Sequence, residues 1–237
     1  MNTSAQQAWK PALIILSLSA VLMSVSYTML IPFLPMYLLQ ELHVAQSDVN
    51  LWSGVIFSSS FLISGIMAPI WGAMADKRSR KLMAVRAAVL LSISYALGGI
   101  VQNEWQLLAM RCFQGFAAGL WPACLSLMTC YAPKEKLGIC LGTLQGAMTA
   151  GGVLGPLAGG ILAEAFDMRT TFFVGAVGLA IITFLLVFFI KEPPKAKTVE
   201  KHKVEKKNNL LKIPVVQRML LAAGVVQLTI LLQQPIM

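Results

Sequence analysis

The side chain with the most unusual chemical setting in this sequence is an arginine within a long apolar run. Arg111 begins the stretch RCFQGFAAGLWPA, and Gln114 and Gly115 follow on the same helical face. An arginine at membrane depth is costly and usually faces a bundle interior or a water-filled cavity. The alternative is that Arg111 snorkels to the outer interface, since it stands only a few residues inside its run. An interior position of Arg111 predicts a functional polar site, and a position at the interface predicts an anchoring residue.

Patterns typical of catalysis or metal binding are absent from this sequence. The cysteines form no CxxC pair, and His43 and His202 fall in polar segments between apolar runs. Zinc ligation is therefore not expected. No histidine lies in an apolar run to activate a serine, and neither an HExxH motif nor paired carboxylates occur at membrane depth. We expect no enzyme, no metal and no cofactor, and a protein that binds and moves a solute fits better.

A short charged segment, GAMADKRSRK from Gly72 to Lys81, separates two apolar runs and predicts a tight turn. Four cations follow Asp76 in this segment. Retention of positive charge on the cytoplasmic side would explain the cations but not the acid. We expect Asp76 to cap an adjoining helix and to hold Arg78 or Arg80 in place.

Residues 151–160 read GGVLGPLAGG and lie inside a charge-free run. Small residues recur there at every fourth position: Thr143, Ala147, Gly151, Gly155, Gly159 and Ala163. Such rows allow two helix backbones to approach closely in a membrane. Pro156 removes a backbone donor and bends the helix. The row predicts either packing inside one bundle or a sliding interface between two moving halves, and the pattern alone does not choose.

Composition indicates that the apolar runs are membrane-spanning helices. Hydrophobic residues make up 57% of the 237 residues, charged residues 12%, and the mean hydropathy is +0.72. A helix needs about 20 mostly apolar residues to cross the hydrocarbon core. The sequence predicts an all-α polytopic membrane protein with spans at 12–34, 49–71, 83–102, 106–129, 138–163 and 170–190. A basic cytoplasmic linker follows at 191–213, and a seventh span starts within 214–237.

The distribution of charge predicts an orientation in the membrane. If the N-terminus is cytoplasmic and the spans alternate, all 19 lysines and arginines except Arg111 and Arg169 lie on the cytoplasmic side. The predicted outer loops hold acids instead: Glu41, Asp48, Glu104, Glu164 and Asp167. This asymmetry is the positive-inside pattern. The net charge of +9 then reflects topology and not a nucleic-acid surface, and we expect a multi-pass protein of the cell membrane.

Three motifs, in order, resemble those of the Major Facilitator Superfamily, and more narrowly its bacterial twelve-helix drug:proton antiporters. The loop motif G-x-L-A-D-R-x-G-R-K departs at Met74, Lys77 and Ser79 and is matched by Gly72, Ala75, Asp76, Arg80 and Lys81. The fourth-span motif L-x-x-x-R-x-x-Q-G is matched by Leu107, Arg111, Gln114 and Gly115. The fifth-span antiporter motif G-x8-G-x3-G-P-x2-G-G is matched by Gly142, Gly151, Gly155, Pro156, Gly159 and Gly160.

The resemblance implies the N-terminal six-helix bundle of that fold together with the start of helix seven. In the family, substrate binds between two bundles whose rocking alternates access. The resemblance further implies that Asp76 and Arg80 latch the outward-facing state, and that Arg111 and Gln114 take part in proton coupling and conformational change. It also implies that the fifth helix packs on the eighth.

The expected function is therefore proton-coupled efflux of drugs and other apolar or amphipathic small molecules, driven by the proton gradient. Candidate cavity residues on the first two spans are Met23, Tyr27, Phe57 and Phe61, since Met- and Phe-lined surfaces suit varied apolar ligands. The chain is expected to need a separate C-terminal half or a second copy. A metabolite or sugar transporter of the same superfamily, or a fragment that does not transport, remains an alternative.

Overall fold

The protein is built from helices that follow its apolar runs. The computed structural model describes residues 9–192 and the single residue 222, and leaves the Asp76 side chain undescribed. Within these residues every regular element is helical, which confirms the predicted all-α class. Five stretches there are long and apolar enough to cross a membrane. The predicted linker at 191–213 and seventh span at 214–237 lie outside the described residues, apart from residues 191, 192 and 222.

The helices are numbered in chain order. They are α1 (Trp9–Thr28), α2 (Leu34–Gln40), α3 (Val49–Lys77), α4 (Arg80–Gly98), α5 (Glu104–Ala117), α6 (Leu120–Tyr131), α7 (Leu137–Ala165) and α8 (Met168–Phe188), with a short 3₁₀ turn at Lys134–Lys136 before α7. The first three predicted spans fall on α1, α3 and α4, and the last two fall on α7 and α8. The fourth predicted span falls on α5 and α6 together.

Two of the predicted spans differ from the helices of the structure, and proline explains the first difference. The span predicted at 12–34 ends as a helix at Thr28, and a separate short helix starts at Leu34. Pro32 lacks a backbone N–H and disfavours helical geometry in the residue before it, while Pro35 occupies the first turn of α2, where proline is tolerated. The segment predicted as one span at 106–129 is interrupted between Ala117 and Leu120, for reasons given below.

Helices α1 and α4 lie at the centre of the described bundle. Helix α1 packs against α7, α8 and α6, and α4 packs against α8, α5 and α6, while α3 packs mainly on α5. Ala84, Ala87 and Ala88 are fully buried, so their small side chains bring α4 close to its neighbours. The larger core side chains with no exposed surface include Leu16, Ile56, Leu107, Leu127, Leu144 and Ile182.

Polar side chains connect the helix ends on the side predicted to face outward. The Tyr37 hydroxyl donates to the Gly98 carbonyl at 3.0 Å, and Arg169 Nε lies 2.9 Å from Glu41 Oε2. Asp167 caps α8 by accepting a hydrogen bond from the Thr170 amide at 2.6 Å. Hydrogen bonds with Thr170 hold the pKa of the Asp167 carboxyl below its usual value. These contacts join the start of α8 to the ends of α2 and α4.

The glycine row of α7 packs against α1, inside this bundle. A Cβ added at Gly151 would lie 2.6 Å from the Val21 carbonyl oxygen, and one at Gly155 would lie 3.0 Å from that of Val25. A Cβ at Gly159 would collide with the Met29 backbone. The hypothesis that this row meets a second bundle is therefore wrong. The row forms the close contact between α7 and α1, because two helix backbones can meet only where no side chain lies between them.

The rest of the motif on α7 has other surroundings. Gly142 has nothing within 4 Å of a would-be Cβ, and at Gly160 the nearest atom is a Phe33 ring carbon at an ordinary 3.6 Å. Pro156 lies within α7 and is exposed in the described bundle. Close packing therefore accounts for three of the six motif positions.

We predict that Gly151→Ala, Gly155→Ala and Gly159→Ala each lower the free energy of unfolding by about 1–3 kcal/mol, because the new Cβ is forced against α1 backbone. Gly142→Ala is the matched control. It should be neutral or stabilising by up to about 1 kcal/mol, since glycine is costly within a helix. Denaturant unfolding of the purified chain, followed by circular dichroism, measures the difference. Equal effects at all four positions would contradict the packing of α7 on α1.

Candidate functional site

A cavity of about 390 Å³ lies among the helices near the middle of the bundle. Its walls come from α1, α3, α4, α5, α6, α7 and α8, and from the residues between α5 and α6. Three of the four candidate cavity residues line it, namely Met23, Tyr27 and Phe61. Phe57 is absent from the wall, but its ring packs on that of Phe61 with centroids 5.2 Å apart. The structure thus places three of the four candidates on the cavity, and their contact with a substrate stays a prediction.

Arg111 lies inside the bundle, next to this cavity. Its side chain is 4% exposed, and Nη1 donates to Gln114 Oε1 at 2.9 Å. Nε and Nη2 are buried without a hydrogen-bond partner among the described residues. An arginine that snorkelled to an interface would be exposed, so the structure favours the interior polar site. The amphipathic α5 turns Leu107, Met110, Arg111, Gln114 and Gly115 inward.

The cavity combines apolar walls with a few polar groups. Gln114 lines it and accepts from Arg111, which leaves its amide N–H₂ group to donate. Tyr27 and Tyr95 also line it, and each carries a phenol hydroxyl that can donate or accept a hydrogen bond. None of the described residues in its wall is acidic. The arrangement suits binding of an apolar or amphipathic molecule and offers no nucleophile with an adjacent base.

Gly115 of the same motif is explained by helix packing. A Cβ at this position would lie 2.5 Å from the Ser60 carbonyl oxygen and 3.0 Å from Ile63 Cβ. Helix α5 therefore meets the backbone of α3 at Gly115. This contact places Gln114 and Phe61 on the same cavity.

The fourth predicted span is broken at Ala118 and Gly119, beside the cavity. Gly119 has φ +115°, a left-handed conformation that side chains disfavour. Pro122 has no N–H to donate to the Ala118 carbonyl, and its ring would crowd that carbonyl in a continuous helix. Gly119 and Pro122 together end α5 and start α6, and proline is tolerated in the first turn of α6.

Two side chains from other helices occupy the carbonyls freed by this break. Trp71 Nε1 donates to the Phe116 carbonyl at 2.8 Å, and Arg86 Nη2 donates to the Ala118 carbonyl at 2.9 Å. The Arg86 guanidinium carbon also lies 3.6 Å from the Trp71 ring centroid. A break at membrane depth is tolerated when neighbouring groups satisfy the backbone in this way.

Sequence reasoning missed the role of Arg86. The charge distribution predicts Arg86 to be one of the cytoplasmic cations, and only Arg111 stands out in the sequence as an arginine within an apolar run. The structure places Arg86 inside α4, more than one turn from its start, with Nε and Nη1 shut off from water. Pro122 is the residue in the sequence that could have indicated this role. It cannot donate to the carbonyl four residues earlier, so that carbonyl needs a hydrogen-bond donor from another helix.

The loop motif is arranged differently from the expectation. The turn predicted from Gly72 to Lys81 is only Arg78 and Ser79, because α3 runs through Lys77. Ser79, not Asp76, caps α4, and its hydroxyl accepts from the Leu82 amide at 3.0 Å. Asp76 lies within α3, and its pairing and proposed latch stay predictions, since its side chain is undescribed.

The two cations of this motif bind within the bundle. Arg80 Nη1 donates to the Ser126 carbonyl at 3.1 Å and contacts Cys130 Sγ, so it connects α4 to α6. Lys81 Nζ donates to the Val187 carbonyl at 2.7 Å, near the end of α8. Gly72 has open space around it, so close packing within the described residues does not explain it.

Comparison with known proteins decides the family. A model described as Major Facilitator Superfamily matches residues 16–236. The chain belongs to the Major Facilitator Superfamily. This superfamily consists of transporters and not of enzymes, which confirms the expectation that the chain is no enzyme and that it is membrane-embedded.

Several curated relatives of the chain are named as multidrug resistance proteins. The chain is 36% identical over 221 residues to multidrug resistance protein MdtG of Escherichia coli O17:K52:H18, covering 92% of this chain and 54% of the relative. It is 39% identical over 184 residues to MdtG of Escherichia coli K12 strain DH10B, covering 78% and 45%. The chain therefore spans about half the length of the curated relatives that it matches.

Solved superfamily structures share the fold. The human organic anion transporter MFSD10 aligns with a TM-score of 0.68 at 17% identity, over 78% of this chain and 48% of that one. A bacterial homologue of the lysosomal transporter Spinster aligns with a TM-score of 0.67 at 20% identity, over 85% and 47%. The fucose:proton symporter of E. coli aligns with a TM-score of 0.64 at 13% identity, over 80% and 46%. At these identities the likeness establishes the fold.

We predict that Gly119→Ala lowers the free energy of unfolding by about 1–2 kcal/mol, because an alanine at φ +115° is strained. Gly138→Ala is the control, since it adds a Cβ in open space on a helix. Denaturant unfolding of the two purified variants gives the comparison. A Gly119→Ala protein as stable as the Gly138→Ala protein would contradict the left-handed break.

Proposed function

We propose that this chain supplies the first six-helix unit of a transporter that exports drugs and other apolar or amphipathic molecules in exchange for protons. The observation that carries the proposal is the central cavity of about 390 Å³ with the buried Arg111–Gln114 pair at its side. The similarity to MdtG, whose name describes multidrug resistance, supports this class of substrate. The antiporter motif on α7 supports the exchange with protons.

In this proposal Arg111 carries the coupling to protons. A buried guanidinium with two nitrogens lacking described partners responds strongly to any charge that enters the cavity. The proton-binding carboxylate is proposed to come from outside the described residues, because those that line the cavity include no acid. Arg111 would then favour release of the proton from that carboxylate whenever the two groups approach.

A second six-helix unit is proposed to complete the transporter, as a C-terminal half or a second copy. The chain covers about half of its MdtG relatives. Helices α3 and α7 are also the least buried of the five long apolar helices. In their most apolar stretches 6% and 17% of the residues are buried, against 39% in α1, α4 and α8. Exposed apolar side chains on α3 include Leu51, Leu62 and Ile66, and those on α7 include Val153, Leu157 and Ile161. These two faces suit contact with a second bundle.

The proposed setting is the bacterial cell membrane, with the N-terminus in the cytoplasm. The charge asymmetry of the loops supports this orientation. It places the Arg78–Ser79 turn and the end of α8 on the cytoplasmic side. Asp76 and Arg80 would meet the second bundle from there in the outward-facing state.

We predict that a chimaera joining this chain to the unaligned remainder of E. coli MdtG exports a cationic dye from proteoliposomes when a proton gradient is imposed. Residues 1–237 alone should show no such efflux, because alternating access needs two units around the cavity. Gradient-independent dye loss, or efflux by residues 1–237 alone, would argue against the proposal. Competition by sugars instead of dyes would favour a sugar transporter of the same superfamily.

We predict that Arg111→Gln removes the dependence of efflux on the proton gradient while the chimaera still folds and binds dye. Glutamine keeps a polar group beside Gln114 but carries no charge. Counterflow exchange of dye, which needs no gradient, is the control readout and should persist. Gradient-driven efflux equal to that of the unsubstituted chimaera would mean that Arg111 has a structural role.

A further inference from the structure

A second cavity, of about 430 Å³, lies among α3, α4 and α6 and adjoins the break between α5 and α6. It shares wall residues with the central cavity only around that break and at Ser64. Its apolar wall includes Ala68, Trp71, Met83 and Pro122, and its polar wall includes Arg86 and Ser126. The proposed function uses the central cavity and gives this second cavity no ligand.

The guanidinium of Arg86 is the dominant polar group of this cavity. It has five N–H donors, and its one hydrogen bond within the described residues goes to the Ala118 carbonyl. One face lies on the Trp71 ring at 3.6 Å. Nε and Nη1 are buried and have no hydrogen-bond partner among the described residues. A buried donor without an acceptor is costly, so this group has unused capacity for an acceptor.

The described charged side chains in the wall of this cavity are all cations. Arg80 lines it together with Arg86, and none of the described residues in its wall is acidic. Gly119, at the start of α6, also lines it, so the positive end of that helix dipole adds to the field. Asp76 directly follows the wall residue Ala75, one turn after the wall residue Gly72, and its side chain is outside the described part of the chain.

We propose that this cavity binds the anionic head group of an amphipathic molecule, and that Arg86 is the residue that binds this head group. A carboxylate or phosphate oxygen accepts the strong, paired hydrogen bonds that a guanidinium donates. The walls formed by Ala68, Met83 and Pro122 would hold the apolar body of the same molecule. The proposal does not rest on proton-coupled efflux, because binding can be measured without transport.

The test is equilibrium binding of 4-phenylbutyrate to the purified chain in phosphatidylcholine nanodiscs, with the neutral 4-phenylbutanamide as the matched ligand. We expect the carboxylate to bind, and the amide to bind at least about tenfold more weakly, because the amide cannot form the charge-assisted hydrogen bond with Arg86. Arg86→Gln should weaken phenylbutyrate binding by a similar factor, whereas Arg86→Lys should restore part of it. Circular dichroism of each variant verifies that the helices remain folded.

Repeating the measurement in nanodiscs that also contain phosphatidylglycerol, at high salt, separates two sources of the head group. Unchanged phenylbutyrate binding would indicate that the site takes a soluble anion. Binding abolished by phosphatidylglycerol would indicate that it takes an anionic lipid head group. Both results support the proposal. Three results would overturn it: no binding of phenylbutyrate to the unsubstituted chain, equal binding of the amide, or equal binding by Arg86→Gln. Binding lost in Arg111→Gln but kept in Arg86→Gln would place the anion in the central cavity and also overturn it.

Discussion

The close approach of α7 to α1 is the contact on which the rest of the described structure depends. Apolar side chains gain little by leaving lipid for protein, so helices in a membrane are held by van der Waals packing and by polar groups that find partners. Gly151, Gly155 and Gly159 remove the side chains that would keep the two backbones apart. Helix α1 then carries Met23 and Tyr27 to the cavity wall. The glycine row is thus structural, although it lies within the motif that resembles that of antiporters.

The second constraint is that each backbone group without a helical partner needs another one where water is scarce. Gly119 and Pro122 break the fourth span, and the freed carbonyls accept from Trp71 and Arg86. These donors come from α3 and α4, so the break also connects three helices. Both cavities adjoin this point. A shift in the break would therefore change the shape of both.

The two buried arginines illustrate how far sequence reasoning reaches into the site. Arg111 was recognised because it is isolated in an apolar run, and local helical spacing put Gln114 on the same face. The structure then shows the hydrogen bond between the two side chains. Arg86 was not recognised because it follows a cluster of basic residues, and its partners, Trp71 and the Ala118 carbonyl, lie far away in the chain. Likewise, spacing along one helix grouped Phe57 with Phe61, but neighbouring helices decided that only Phe61 reaches the cavity.

The sequence by itself determined the helical membrane class, the approximate spans, the family and the polar pair on α5, because each is encoded in composition or in residues a few positions apart. Tertiary structure decided which surface the glycine row meets, where the fourth span breaks, and which cation satisfies the break. The physical reason is that a row of small residues allows close contact with any helix but does not name it. Only the folded bundle, in which α1 lies against α7 and α4 lies beside the break, selects the partner.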